Sequence, residues 1–208
     1  MEMAILSFVM KEQEEIAKMN KKIKIVALMG KAGAGKDALL HKIMEKYGDE
    51  FAGIVSCTSR PPREGEVDGV NYHFLTSEQF AEKLMDGDMI EAVVFRDWCY
   101  GTSYDSLDPN KINIGVMDIN GIEILKGDSR LQILPVYVAA MPKTRIRRAI
   151  DRDPNTPVTK ICQRFLEDED KFSDIAGFDF ETSVNDSDLM DYSPFEQVKE
   201  IINNFGQR

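Results

Sequence analysis

The chain has 208 residues, 43% of them apolar, and a formal net charge of −10. That length suits one well-packed domain with subdomains, and the apolar content excludes general disorder. The acidic balance excludes a broad nucleic-acid-binding surface, which needs a basic face, and makes any cluster of arginines a candidate local anion site.

The three cysteines, Cys57, Cys99 and Cys162, have no metal-ligand spacing. A sparse, odd set points to a reducing, cytoplasmic setting without a disulfide framework. His41 and His73 stand alone and are expected to be core or surface residues rather than ligands. No apolar run approaches the roughly 18 residues a membrane span needs, so no membrane partner is expected. Residues 1–22 read as an added amphipathic helix, with Leu6, Val9, Ile16 and Met19 as its apolar face. Glu2, Lys11 and Glu12 argue against a secretory leader. Two uses of this extension stay open: packing on its own domain, or a contact in a homodimer. A monomer and a homodimer are therefore both expected states.

Lys24–Leu28 is predicted to be a buried strand, and it breaks into Gly30-Lys31-Ala32-Gly33-Ala34-Gly35-Lys36-Asp37. Gly30, Gly35 and Lys36 have the G-x-x-x-x-G-K spacing of a phosphate-binding P-loop. Little side-chain bulk lets backbone N–H groups turn inward around phosphate oxygens. Lys36 adds a point charge, and the next helix presents its positive end. The place usually held by Ser or Thr, whose hydroxyl binds Mg²⁺, is Asp37. A carboxylate oxygen also suits that hard cation. The helix is predicted over Lys36–Tyr47, with Leu39, Leu40, Ile43 and Met44 inward.

Further strands are predicted at Gly53–Cys57, Asn71–Leu75, Met89–Phe95, Ile112–Met117, Leu131–Ala139 and Phe180–Val184. Helices are predicted at Ser77–Met85, Pro142–Ile150, Thr159–Lys171 and Pro194–Asn203. The alternation argues for an α/β fold with a parallel central sheet covered by helices on both sides. Ligands in such folds lie beyond the carboxyl ends of the strands.

Ser56–Phe74 carries Arg60 and Arg63, then Gly65-Glu66, Gly69, Tyr72 and Phe74. Two guanidinium forks beside a tight turn make a candidate anion site. Together with the P-loop, this stretch resembles the guanylate kinase family, whose pattern here is T-T-R-x-P-R-x-G-E-x-x-G-x-x-Y-x-F. Thr58, Arg60, Pro62, Arg63, Gly65, Glu66, Gly69, Tyr72 and Phe74 match it, and Ser59 replaces its second threonine. Phe80 to Glu91 resembles the family's F-x(10)-E, and Tyr100-Gly101-Thr102 its Y-G-[ST]. Arg148 and Arg152 resemble the paired lid arginines, Arg164 the arginine of the next helix, and Val184-Asn185-Asp186 the late V-N-D. The resemblance spans about residues 23–205.

The resemblance implies a P-loop three-layer α/β/α core with an inserted monophosphate-binding subdomain near 56–111 and a lid near 148–165. It implies ATP-dependent phosphorylation of GMP or dGMP, with Mg²⁺ as cofactor and small nucleotides as partners. ATP falls to Gly30 through Asp37 and to Asn185. The acceptor falls to Ser56, Arg60, Arg63, Tyr72, Glu91, Tyr100, Gly101, Thr102 and Asn120. Lys36, Arg60, Arg148, Arg152 and Arg164 carry the transfer, and Asp37 and Asp118 the metal. A carboxylate at Glu91 accepts both donors on guanine's pairing edge and repels the lone pair of adenine N1. The segment Asp118-Ile119-Asn120-Gly121 is two residues shorter than the family's D-x-D-x-x-G and has Asn in its second acidic place. With Asp37, that departure keeps a broader deoxynucleoside monophosphate kinase in view. A non-catalytic binding module is disfavoured, because such a module has no need of an intact glycine loop, Lys36 or lid arginines.

Overall fold

The computed structural model describes residues 22–95, 97–152, 155–184 and 193–206. All of the expected N-terminal extension except Lys22 lies outside the described residues, as does Asn185. Strand β1, Ile23–Met29, is followed by helix α1, Lys36–Tyr47, and strand β2, Phe51–Gly53. Then come β3, Cys57–Thr58, β4, His73–Phe74, helix α2, Ser77–Met85, β5, Met89–Phe95, and β6, Trp98–Ser103. Strand β7, Ile112–Val116, leads to α3, Ile119–Lys126, and β8, Leu131–Ala139. Helices α4, Pro142–Arg152, and α5, Val158–Lys171, precede β9, Glu181–Val184, and α6, Pro194–Gly206.

β1 lies at the centre of a five-stranded sheet of order β2-β7-β1-β8-β9, and every pairing is parallel. Strands in such a sheet bury both faces, which explains the unbroken apolar run of β1. Alternation decides what each residue meets. Val26 and Leu28 pack with Ile114, Val136 and Val138 under Leu39 and Ile43 of α1 and Val198 and Ile202 of α6. Ile25, Ala27 and Met29 face the other way, onto Leu125 and Ile122 of α3. Pro135 lacks the N–H a central strand donates. It sits one residue before β8 begins to pair with β9 at Val136, so only β1 flanks it.

A second sheet, of order β4-β3-β6-β5, is built between β2 and β7. The strand expected at Gly53–Cys57 is divided between the two sheets. Ile54 N–H still donates to Ile114 O of the central sheet at 2.9 Å, whereas Ser56 O already accepts from His73 N at 2.9 Å. One apolar run thus serves two sheets, and the chain crosses at Val55. It returns through residues 104–111, which the fully buried Asn113 pins. That carboxamide accepts from Asp108 N at 2.8 Å and donates to Asp108 O at 2.9 Å. Two elements have no predicted counterpart: β6, an inner strand of the second sheet, and α3, which lies between the sheets and packs on both β8 and β5.

Candidate active site

At the carboxyl end of β1 the glycines are sterically required. Gly30 has φ 146°, and a Cβ there would lie 2.6 Å from Val138 O. Gly33 has φ 78°, and its Cβ would lie 2.6 Å from Arg145 O. Gly35, in the left-handed region at φ 91°, is the N-cap of α1, and no side chain caps the helix. The loop therefore curls tightly against β8 and α4 and leads into an uncapped positive helix end, the arrangement that receives anions. Lys36 folds back across the loop: Nζ donates to Gly30 O at 2.6 Å and to Lys31 O at 3.3 Å. Burial pushes its ammonium below the ordinary lysine range, while the charges of Asp37 and Asp168 pull it back up. Asp37 is exposed in the first turn of α1.

Helices α4 and α5 lie beside this loop. Arg148 Nη1 donates to Gly33 O and to Ala34 O, both at 3.3 Å. Arg152 lies exposed at the end of α4, and Arg164 is exposed on α5 but near enough to Lys36 to depress its pKa. Arg145 is unanticipated. It is 4% exposed, and its Nε donates to Ala32 O at 3.1 Å. The spacing 145, 148, 152 on one helix is the signal that finds it. Two acidic residues of α5 were equally hidden. Asp168 Oδ2 accepts Ala32 N–H at 2.5 Å, and Glu169 bridges Lys31 and Arg145.

The second sheet carries the other predicted residues. Thr58 Oγ1 donates to Cys99 O and accepts Arg60 N–H, while Ser59 Oγ accepts Cys99 N–H, so the turn into Arg60 is tied to β6. Arg60 is buried. It pairs with Glu66 at 2.9 Å and lies over the rings of Tyr72 and Phe74 at 5.5 and 5.8 Å. The Glu66 carboxylate raises its guanidinium pKa further. Glu66 also accepts Arg63 N–H, leaving the Arg63 side chain exposed. Tyr72 meets Tyr100 edge-on at 6.0 Å. Burial raises the Tyr72 phenol, with Tyr100 adding to this and the Arg60 charge opposing it.

Thr102, 1% exposed, donates from Oγ1 to Glu91 Oε1 at 2.9 Å. Desolvation pushes the Glu91 carboxyl above its ordinary range; the Thr102 hydrogen bond opposes this and the Asp118 charge adds to it. Gly101 is required by space rather than dihedral, since a Cβ would stand 2.5 Å from Glu91 O. A Cβ at Gly121 would lie 3.5 Å from Glu91 Oε2, so Glu91 spans from β5 to the first turn of α3. Asn120 is exposed there, its N–H donating to the N-cap carboxylate of Asp118. Asp118 also pairs with Lys171 of α5. Ser56 is half-buried at the crossing between sheets. The structure thus gathers one glycine loop at a helix N-terminus, one arginine-bearing helix pair and one wall with a half-buried carboxylate.

Among the described residues no group of three or more His, Cys, Asp or Glu could hold a metal ion, and no helix is long and apolar enough to cross a membrane.

Residues 22–205 match the guanylate kinase family. The chain is similar to a guanylate kinase of Campylobacter jejuni strain RM1221, 25% identical over 178 residues covering 84% of this chain and 86% of that one. It is 36% identical to a guanylate kinase of Clostridium perfringens strain 13 over 138 residues, 64% of this chain and 63% of the relative. The fold is shared with the crystal structure of guanylate kinase from Anaplasma phagocytophilum, at a TM-score of 0.56 and 20% identity, covering 88% of this chain and 85% of that one. A glycine loop leading into a helix, a helix bearing Arg148 and Arg152 and a Glu91–Thr102 pair stand on one three-layer frame, and the chain belongs to the guanylate kinase family.

Proposed function

We propose that this protein phosphorylates GMP to GDP at the expense of ATP, and dGMP likewise. The observation that carries the guanine choice is the half-buried Glu91 carboxylate, oriented by Thr102 and facing the first turn of α3. A carboxylate there accepts guanine N1–H and N2–H together, whereas adenine N1 would set a lone pair against it. The curated relatives named above are guanylate kinases, which supports the same acceptor.

In this reading the amides of residues 32–37 hold the donor phosphates, and Lys36 leaves Gly30 O to reach the β- and γ-oxygens. Arg60 and Arg63, with Tyr72 and Tyr100, hold the acceptor phosphate in line. The second sheet and the α4–α5 pair move towards the loop on binding. That motion places Arg148, Arg152 and Arg164 around the transferring group, where positioning and charge neutralisation do most of the catalysis. Asp37 is exposed beside Lys36 and is a fitting oxygen ligand for Mg²⁺, with Asp118 in reserve behind its pairing to Lys171. With few protein ligands on offer, the ion would be held largely by phosphate oxygens and water, as Mg²⁺ commonly is. Bound there, Mg²⁺ supplies neutralisation of the β- and γ-phosphate charge.

The test is ATP consumption with GMP, dGMP, dTMP and AMP in parallel. Turnover with the guanine nucleotides exceeding the others by at least about 10³ is expected, given that hydrogen-bonding sites discriminate by about 10⁴–10⁵. Equal turnover of dTMP or AMP overturns the guanine assignment.

A further inference from the structure

Three side chains at the P-loop have no role in the scheme above: Arg145, Asp168 and Glu169. Adjacent on α5, the two carboxylates engage the same loop differently. Asp168 Oδ2 takes the N–H of Ala32 at 2.5 Å. Glu169 Oε2 takes Lys31 Nζ at 2.5 Å, and its Oε1 takes Arg145 Nη1 at 3.1 Å. Arg145 in turn donates from Nε to Ala32 O at 3.1 Å and stacks 4.4 Å over the ring of Phe165. Its remaining amino group, Nη2, is buried without a partner among the described residues.

These contacts pose two physical problems. A buried guanidinium N–H without an acceptor is costly, and an arrangement that keeps one calls for an explanation. A carboxylate on a P-loop amide also competes with a phosphate oxygen, because both are anions seeking the same donor. A triphosphate cannot seat its terminal group beside Ala32 while the Asp168 carboxylate stays within hydrogen-bond distance. One exchange resolves both. When the terminal phosphate arrives, the carboxylates leave, and Arg145 gains oxygens for Nη1 and Nη2 in the paired geometry a guanidinium favours.

We propose that Asp168 and Glu169 stand in for the donor's terminal phosphate in the nucleotide-free protein, and that Arg145 is the residue that passes from Glu169 to that phosphate. The inference rests on the donor site proposed above. It makes Arg145 a further donor-binding residue and makes the Asp168 and Glu169 side chains a latch that a triphosphate releases, while α5 itself stays beside the loop. The latched state lowers apparent donor affinity by the fraction of molecules that hold it.

The test is calorimetric titration of the full chain with the β,γ-imido analogue of ATP, and separately with ADP, in the absence of GMP. Asp168→Asn keeps the side-chain shape and removes the charge. It is expected to tighten the triphosphate analogue about tenfold, 1.4 kcal/mol, with little change for ADP. Glu169→Gln is expected to shift affinity the same way and supplies a second variant if Asp168→Asn unfolds. Arg145→Lys in the Asp168→Asn background is expected to cancel the gain for the triphosphate while leaving ADP unchanged. Analogue binding that is unchanged or weakened in both carboxylate variants, or a gain equal for ADP and triphosphate, overturns the proposal while leaving the donor site standing. Failure of the unaltered protein to bind either nucleotide overturns the donor site itself, and the proposal with it.

Discussion

Lys36 is held by two loop carbonyls while it waits for a ligand, so its replacement tests function without removing a core contact. Lys36→Ala is expected to lower turnover with GMP by at least about 10², the scale of losing one charge-stabilising group, with an unchanged circular dichroism spectrum. Glu91→Gln is expected to weaken GMP by about 1.5–3 kcal/mol, the range for a charged hydrogen bond, and to leave ATP affinity alone. The same variant has a pH signature. Burial raises the Glu91 carboxyl, so the folded state holds its proton more tightly than the unfolded chain does. The empty protein therefore loses stability as pH rises from the ordinary glutamate range through the raised folded value. Glu91→Gln is expected to melt higher than the parent at neutral pH, with the gap closing below the ordinary glutamate range. Equal melting gaps at pH 4 and pH 8 would contradict this. Legibility at this scale followed spacing. The loop glycines and Glu91 stood in recognisable patterns, and the structure brings Glu91 and Thr102 together. Arg145, three residues before Arg148 on the same helix face, stands outside the motif that marks Arg148 and Arg152. Asp168 and Glu169 escaped because acidic residues on a helix ordinarily read as a solvated surface.

Among the elements, α2 shows how local signals set a boundary. Thr76 accepts Gln79 N–H at 3.2 Å, and the Gln79 side chain accepts Thr76 N–H at 2.8 Å, a reciprocal capping box. Thr76→Ala is expected to cost about 1 kcal/mol in urea unfolding, with GMP affinity little changed. The predicted bounds of α1, α2, β5 and β8 coincide with the observed ones, because each joins a clear apolar pattern to a glycine, a cap or a charged break. β6 was illegible: Trp-Cys-Tyr-Gly-Thr-Ser lacks alternation, and Thr102 and Ser103 are buried polar residues, the first of them bonded to Glu91. α3 was hidden by its brevity, eight residues opened by the Asp118 cap. The division of the run around Val55 could not be read either, since an apolar stretch does not say which sheet it joins.

At the scale of the whole molecule, the proposed donor and acceptor residues stand on different sheets, the P-loop on the central one and Arg60 and Glu91 with the second, so the proposed transfer brings the two together. The single tryptophan, Trp98, sits on the second sheet, and the exposed Cys162 lies on α5. Energy transfer from Trp98 to an acceptor dye on Cys162, with Cys99 changed to Ser, is expected to rise when a bisubstrate dinucleotide binds. No change with saturating ligand would leave the closure without support. The position of β1 has another consequence. Ile25–Met29 are fully buried, yet Ile25 pairs with Asn113 on one side and Ile133 on the other. Both partners belong to the second half of the sequence. A ribosome therefore releases the most apolar strand of the central sheet long before anything exists for it to pair with. Such long-range parallel pairing is slow to form and prone to aggregate while it waits. Nascent chains arrested before residue 112 are expected to sediment with chaperones or aggregates, and those arrested with α6 clear of the exit tunnel to be soluble. Fractionating the arrested ribosomes would measure this cost of putting the first strand in the middle.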